Sequence, residues 1–369
     1  MALSSGSSEP LQPKSLTDMA HLAGVVCGNA AASRLWKGVK VSVQTELADS
    51  FGRRFPYLRL SVTDICNFRC SYCLPDGYKK SGCEPFLSRE EILRMVRAFA
   101  GLGVWKIRLT GGEPTVREDF IDIARSIAEI PGISRLVFTT NGYRLPERAQ
   151  DYYNAGLRAI NISIDSLRPD QFKKITGHDR LEEILDGVQA SFDAGFNSVK
   201  INTVLLKGLN DGELDHFIDY VADKPLSLRF IELMRTGGNQ DYFKTHHLPG
   251  EAVTERLLAR GWSVLPRKEG AGPAIEFEHP ESLGRIGLIA PYSKDFCKTC
   301  NRLRVSAKGT LHLCLFGEGG YSLRNYLQQD DQIEELQEKI LQLMNFKRET
   351  HFLHQGDSGA TPHLASIGG

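Results

Sequence analysis

From Tyr57 onward, short apolar and β-branched runs alternate with stretches in which apolar residues recur every three or four positions. The first pattern predicts strands and the second amphipathic helices. Strands are predicted at Leu58–Thr63, Lys106–Thr110, Arg135–Thr140, Ala159–Asp165, Ser198–Leu205 and Ser227–Leu233. Ser88-Arg-Glu-Glu91 has the form of a capping box and opens a helix with Ile92, Met95, Val96 and Phe99 on one face. Similar faces recur in Phe120–Ile130, Leu181–Phe192 and Leu214–Val221. Strand–helix units in succession, without hairpin signals, predict an α/β fold with a parallel sheet and right-handed crossovers. Periodicity alone leaves open whether that sheet closes.

The two ends of the chain read differently. Residues 1–50 are rich in Ser, Gly and Ala with poor periodicity, and are expected to be a flexible N-terminal extension. Acidic residues and scarce arginine speak against a transit peptide there. After Arg235 the pattern turns to glycine- and proline-rich connections, so a domain change is placed near residue 240, dividing 51–240 from 241–369. One more helix is predicted over Gln332–Phe346, with Ile333, Leu336, Ile340 and Leu343 on a common face.

Composition narrows the partners. Lys plus Arg and Asp plus Glu balance at 45 each in 369 residues, which leaves no bulk electrostatic footprint for nucleic acid or anionic membrane. No run approaches the roughly 18 apolar residues of a membrane span. An anionic ligand therefore has to be met by local basic groups.

Chemistry gathers at the predicted strand ends. Cys66-Asn-Phe-Arg-Cys70-Ser-Tyr-Cys73 follows the first strand and Gly111-Gly-Glu-Pro114 the second. Thr139-Thr-Asn-Gly142 ends the third, Ser163-Ile-Asp165 ends the fourth, Lys200 lies on the fifth and Met234 follows the sixth. The carboxyl ends of parallel strands form the active face of barrels and open sheets alike.

Cys66, Cys70 and Cys73 can hold an iron–sulfur cluster with one iron left open to a ligand. A structural zinc site is the rival; it usually pairs its cysteines and closes all four positions, with Cys83 the candidate fourth ligand. Cys297, Cys300 and Cys314 form a second group of three, for which a zinc knuckle with an external ligand and a second open cluster both stand. Beside it, Asn301-Arg302-Leu303-Arg304 sets two guanidiniums on one face of an extended segment, suited to phosphate and purine edges. Cys27 and Cys83 are expected to be bystander thiols. No Gly-x4-Gly-Lys-Ser/Thr loop occurs, which excludes a P-loop GTPase.

The first triad with its aromatic Tyr72, followed by Gly111-Gly-Glu-Pro114, resembles the radical S-adenosylmethionine superfamily. Chain order, both cysteine groups and Asn301–Arg304 together resemble the GTP 3′,8-cyclase family of molybdenum cofactor biosynthesis, from about Tyr57 to Gly369. That resemblance implies a partial (β/α)6 TIM-like barrel with a C-terminal extension carrying a second cluster. It implies two 4Fe–4S clusters, one on each triad, and S-adenosylmethionine held at Tyr72, Gly112, Glu113, Ser163 and Met234. GTP contacts are implied at Arg59, Arg108, Thr139, Lys200, Arg302, Leu303 and Arg304, and Gly368-Gly369 is implied to reach back toward the site. Arg59 and Lys200 sit within strands, where an inward cation needs an anion; for Arg108 and Thr139 a structural role is equally expected.

The implied reaction begins with a 5′-deoxyadenosyl radical that removes H3′ of GTP. Ring closure between C3′ and C8 then gives 3′,8-cyclo-7,8-dihydro-GTP. Implied partners are a reductant such as flavodoxin or ferredoxin and a downstream cyclic pyranopterin monophosphate synthase; a homodimer is left open. Oxygen-sensitive clusters point to a reducing interior, most simply the cytoplasm, with an organelle as the other destination. The competing readings are a radical enzyme acting on a peptide and a zinc-dependent nucleotide-binding module without turnover.

Overall fold

Tyr57–Ser61 forms the first strand, β1, and is buried almost throughout. A strand covered on both faces accounts for the near-continuous apolar run that predicted it. The structure, a computed structural model, describes residues 46–369 apart from 81, 83, 268–270, 362, 363, 368 and 369. All of these belong to the unit Val43–Gly369. The predicted extension before residue 46, Cys27, Cys83 and Gly368-Gly369 lie outside the described residues.

After β1 come α1 (Arg89–Gly101), β2 (Lys106–Thr110), α2 (Phe120–Ala128), β3 (Arg135–Thr140), α3 (Leu145–Asn154) and β4 (Ala159–Ser163). Next are α4 (Pro169–Thr176), α5 (Leu181–Asp193), β5 (Ser198–Leu205), α6 (Leu214–Ala222) and β6 (Ser227–Glu232). β1 to β6 lie side by side in chain order and every neighbouring pair is parallel. The capping box forms as predicted. Ser88 Oγ accepts the Glu91 N–H at 3.2 Å, and Glu91 Oε2 accepts the Ser88 N–H at 2.8 Å.

Strand and helix ends depart from the prediction for local reasons. β4 stops at Ser163 because the Asp165 carboxylate, not a backbone carbonyl, accepts the Val204 N–H at 2.8 Å. α2 stops at Ala128, before Ile130, because Pro131 disfavours helical backbone in the residue ahead of it. α3 and α4 were not predicted; both open on a proline in their first turn and carry narrow apolar faces.

The stretch after residue 240 is richer in strands than its composition suggests. It holds α7 (Gln240–His246), α8 (Glu251–Ala259), β7 (Ser263–Val264), β8 (Ile275–Glu278), β9 (Arg285–Ile289), β10 (Arg302–Val305), β11 (Thr310–His312), β12 (Tyr321–Ser322) and α9 (Ile333–Met344). β9 joins β6 and β10 joins β1, both parallel, so later chain extends the same sheet at both edges. Short antiparallel strands complete the order β12-β11-β10-β1-β2-β3-β4-β5-β6-β9-β8-β7. No pairing joins β12 to β7 among the described residues, and the barrel is partial.

Candidate functional site

The cysteine loop is seated by the two glycines that follow β2. A Cβ on Gly111 would lie 2.2 Å from the Thr63 carbonyl oxygen, and one on Gly112 would lie 2.4 Å from that of Ile65. That close approach lets Gly112 N–H donate to Thr63 O at 3.0 Å and Glu113 N–H to Ile65 O at 2.8 Å. On the other side, Arg69 N–H donates to Thr176 O at 3.1 Å and Ser71 N–H to Ile175 O at 2.9 Å, which fixes the loop to α4.

Within the loop, Phe68 N–H donates to Cys66 Sγ at 3.4 Å. Burial first, then Glu113 and Cys73, push the Cys66 thiol up to about 12. Burial raises Cys73 to about 11, although the Ala365 N–H donates to it and pulls the other way. Cys70 is held well above its ordinary value by burial, with Asp165 adding to the effect. Thiolates in such a setting need a positive partner. No three His, Cys, Asp or Glu side chains among the described residues are gathered for a single metal ion. Three cysteine thiols on one loop, lining one cavity, are the donor set that a cubane takes, one thiolate to each of three irons.

Neighbouring strand ends hold the positions expected for S-adenosylmethionine. Tyr72 donates its hydroxyl to Asp165 Oδ2 at 2.9 Å. Glu113 is 1% exposed and its carboxylate accepts from Thr115 N, Thr115 Oγ1, Thr140 Oγ1 and Asn141 N at 3.1, 2.7, 2.9 and 2.6 Å. It therefore organises the ends of β2 and β3, with four donors already on its oxygens. Asn141 Nδ2 in turn donates to Asn67 Oδ1 at 2.8 Å, back on the cysteine loop. Tyr72, Gly112, Glu113, Ser163 and Met234 all line one cavity of about 1070 Å³.

Cys297, Cys300 and Cys314 line that same cavity. Burial works to raise the Cys300 thiol, but the positive charges of Lys347, Arg302 and Arg53 together hold it below its ordinary value. Burial raises Cys314 despite Lys347. Lys347 is itself 4% exposed and donates to Leu313 O, so a buried cation is built in beside this triad. A thiolate-held cluster with net negative charge suits those surroundings.

Between the triads the cavity wall is cationic. Strand register sets Arg304, Arg59 and Arg108 abreast on β10, β1 and β2. Arg108 Nη1 donates to Thr139 Oγ1 at 3.0 Å, and its Nε donates to the Tyr57 hydroxyl. Burial, then the positive field of Arg229, lowers Lys200 to about 7. Arg59, Arg108, Thr139, Lys200, Arg302 and Arg304 all line the cavity, but Leu303 does not: it is 1% exposed and packs into the core. Alternation along β10 turns its side chain from the two arginines.

The sequence reading missed Tyr57, Lys106, Asn161, Arg229 and Glu276, which share the wall. Charged residues at alternate positions of otherwise apolar strands were the available signal, as in Lys106-Ile-Arg108. The chain end also comes to the site. The turn Leu364–Ile367 supplies the Ala365 N–H to Cys73, and Arg304 Nη1 donates to Ile367 O at 3.2 Å.

Comparison with known proteins agrees with this geometry. Residues 60–221 match the Radical SAM superfamily and residues 226–353 match Molybdenum Cofactor Synthesis C. A GTP 3′,8-cyclase of Aeromonas hydrophila subsp. hydrophila is 56% identical over 328 residues, which is 88% of this chain and 96% of that protein. One from Stenotrophomonas maltophilia is 57% identical over 325 residues, 88% of this chain and all of that protein. Among solved structures, SuiB of Streptococcus suis bound to S-adenosylmethionine superposes with a TM-score of 0.52 at 14% identity, covering 77% of this chain and 68% of its own. That likeness is one of fold.

Proposed function

The chain belongs to the GTP 3′,8-cyclase family of the radical S-adenosylmethionine superfamily, and from that premise we propose how its residues divide the work. The enzyme is a lyase that converts GTP to 3′,8-cyclo-7,8-dihydro-GTP at the start of molybdenum cofactor biosynthesis. The observation that carries the assignment of residues is that two cysteine triads and a rank of inward arginines line one cavity.

Bound cluster and S-adenosylmethionine supply a 5′-deoxyadenosyl radical that removes H3′ of GTP, after which C3′ bonds to guanine C8 and one electron and one proton complete the product. Residues 51–240 build the core that does this. Cys66, Cys70 and Cys73 would hold a 4Fe–4S cluster, which would supply the electron that cleaves S-adenosylmethionine. The backbone at Tyr72 and Gly112, with Ser163 and Met234, orients the sulfonium, and Glu113 acts by fixing Asn141 and Thr115 around it.

Within residues 241–369, Cys297, Cys300 and Cys314 would hold a second 4Fe–4S cluster, which would supply a binding point for the guanine. Arg59, Arg108, Lys200, Arg302 and Arg304, with Thr139, take the triphosphate and base edges. Inward cations in a low-dielectric cavity favour a polyanion over the peptide of the rival reading. The Leu364–Ile367 turn lies against the first triad and the arginine rank, through Ala365 N–H at Cys73 and Ile367 O at Arg304. Electrons come from a flavodoxin- or ferredoxin-type donor in the cytoplasm, and the product passes to a cyclic pyranopterin monophosphate synthase. No described helix is long and apolar enough to cross a membrane.

Anaerobic incubation of cluster-loaded protein with reductant, S-adenosylmethionine and GTP tests the reading. It should yield 5′-deoxyadenosine together with the cyclised nucleotide. Deoxyadenosine without a new nucleotide would overturn the substrate.

A further inference from the structure

Tyr57 stands among five cations. Register places Arg302, Tyr57 and Lys106 side by side on β10, β1 and β2, and two residues further along come Arg304, Arg59 and Arg108. All six line the cavity. Neighbouring strands lie about 4.8 Å apart, so like charges in adjacent positions repel unless a group between them answers.

Tyr57 is that group. It is 6% exposed. Its hydroxyl accepts from Arg108 Nε and is hydrogen-bonded to Arg59 as well. Its ring faces Lys106, whose Nζ lies 4.5 Å from the ring centroid, with Arg108 Cζ at 5.9 Å. Cations are attracted to the negative face of an aromatic ring. One side chain therefore touches three of the five cations. Burial works to raise its phenol, but Arg108, Arg59 and Lys106 together lower it to about 7, which reports how positive the surroundings are.

We propose that Tyr57 is a positioning residue for the polyphosphate of the substrate, holding Arg59, Arg108 and Lys106 at fixed spacing before the nucleotide arrives. The hydroxyl oxygen sits as an acceptor between two guanidiniums, and the ring steadies the ammonium. Cations already placed lose less side-chain freedom when the phosphates bind. The benefit falls on the phosphates and not on the base. It rests on reading these two ranks as the triphosphate site.

Tyr57→Phe keeps the ring and removes the hydroxyl. Binding to cluster-loaded protein without S-adenosylmethionine, where no turnover occurs, is measured by equilibrium dialysis for GTP, GMP and guanosine. The Kd for GTP should rise at least about tenfold, because the hydroxyl's charge-assisted hydrogen bonds to Arg108 and Arg59 are both lost, while that for guanosine stays within about twofold and GMP falls between. In turnover, KM for GTP should rise by more than kcat falls. Equal weakening of GTP and guanosine, or no weakening of either, overturns the proposal. Arg304→Ala is measured in parallel. If it too leaves GTP no weaker relative to guanosine, the triphosphate site itself is misplaced; if it weakens GTP selectively and Tyr57→Phe does not, only the role of Tyr57 falls.

Discussion

Tyr72 reaches from the cysteine loop to Asp165 at the end of β4, its hydroxyl 2.9 Å from Oδ2. The contact joins two strand ends that β2 and β3 separate. It also places a fully buried carboxyl under the site.

Burial pushes the Asp165 carboxyl from 3.8 to about 6, against the Val204 N–H and the Tyr72 hydroxyl, which pull it down. Because the folded value is the higher one, its contribution to stability is complete below about pH 4 and lost as pH rises through about 6. The change amounts to about 3 kcal/mol at ~1.4 kcal/mol per unit. Asp165→Asn cannot ionise, so across that interval the variant should gain stability relative to the parent as pH rises. Thermal unfolding at a series of pH values checks this, and parallel curves would exclude a titrating Asp165.

Iron content separates the two triads. With one cubane on each, the loaded protein should carry about eight irons, and Cys70→Ala or Cys300→Ala about four. Cys70→Ala should abolish 5′-deoxyadenosine formation. Cys300→Ala should retain it while losing the cyclised nucleotide. Loss of deoxyadenosine in both variants would show that the second cluster is needed for the first step.

Gly112→Ala sets a Cβ 2.4 Å from the Ile65 carbonyl oxygen and 2.6 Å from that of Asp64, both backbone atoms that cannot swing aside. The cysteine loop must move, at a cost of about 1–3 kcal/mol for an overpacked site. Iron at the first triad and binding of S-adenosylmethionine should fall together, with the second cluster retained. Normal loading of both would mean that the loop tolerates the shift.

Ala365→Pro removes the N–H that donates to Cys73. Proline is tolerated in the first turn of a helix, where that N–H has no intrahelical partner. Hydrogen bonds to cluster sulfurs raise reduction potential, so the variant should shift the first cluster to a more negative value in an EPR-monitored titration. An unchanged potential would show that the chain end closes the site without tuning it.

Much of this was legible in the sequence because the evidence was local. Lys106–Thr110, Arg135–Thr140 and Ser198–Leu205 emerged with their predicted bounds, and Ser88 and Glu91 formed the predicted cap. The thiols and glycines at strand ends were local too. What stayed hidden depended on pairing between distant segments. Tyr57 stands between Lys106 and Arg302 only because β10 joins the outer edge of β1. β7 and β12 are two residues each, too short to show a period. Glu113 was expected against S-adenosylmethionine, yet its oxygens already accept four donors from β2 and β3, a use that no spacing reveals. Leu303 shared a motif with its arginine neighbours and was drawn into their role, although strand alternation turns it away.

The pairing of β1 with β10 also sets an order of events during synthesis. On the ribosome the N-terminal part of a chain emerges first. Cys66, Cys70 and Cys73 therefore leave the exit tunnel long before Arg302–Val305 exists to flank β1, or Leu364–Ile367 to approach Cys73. During that interval the first triad stands without the segments that later flank it. Pairing of β1 with β2 can thus precede completion of the cavity wall, which waits for β10 and the Leu364–Ile367 turn.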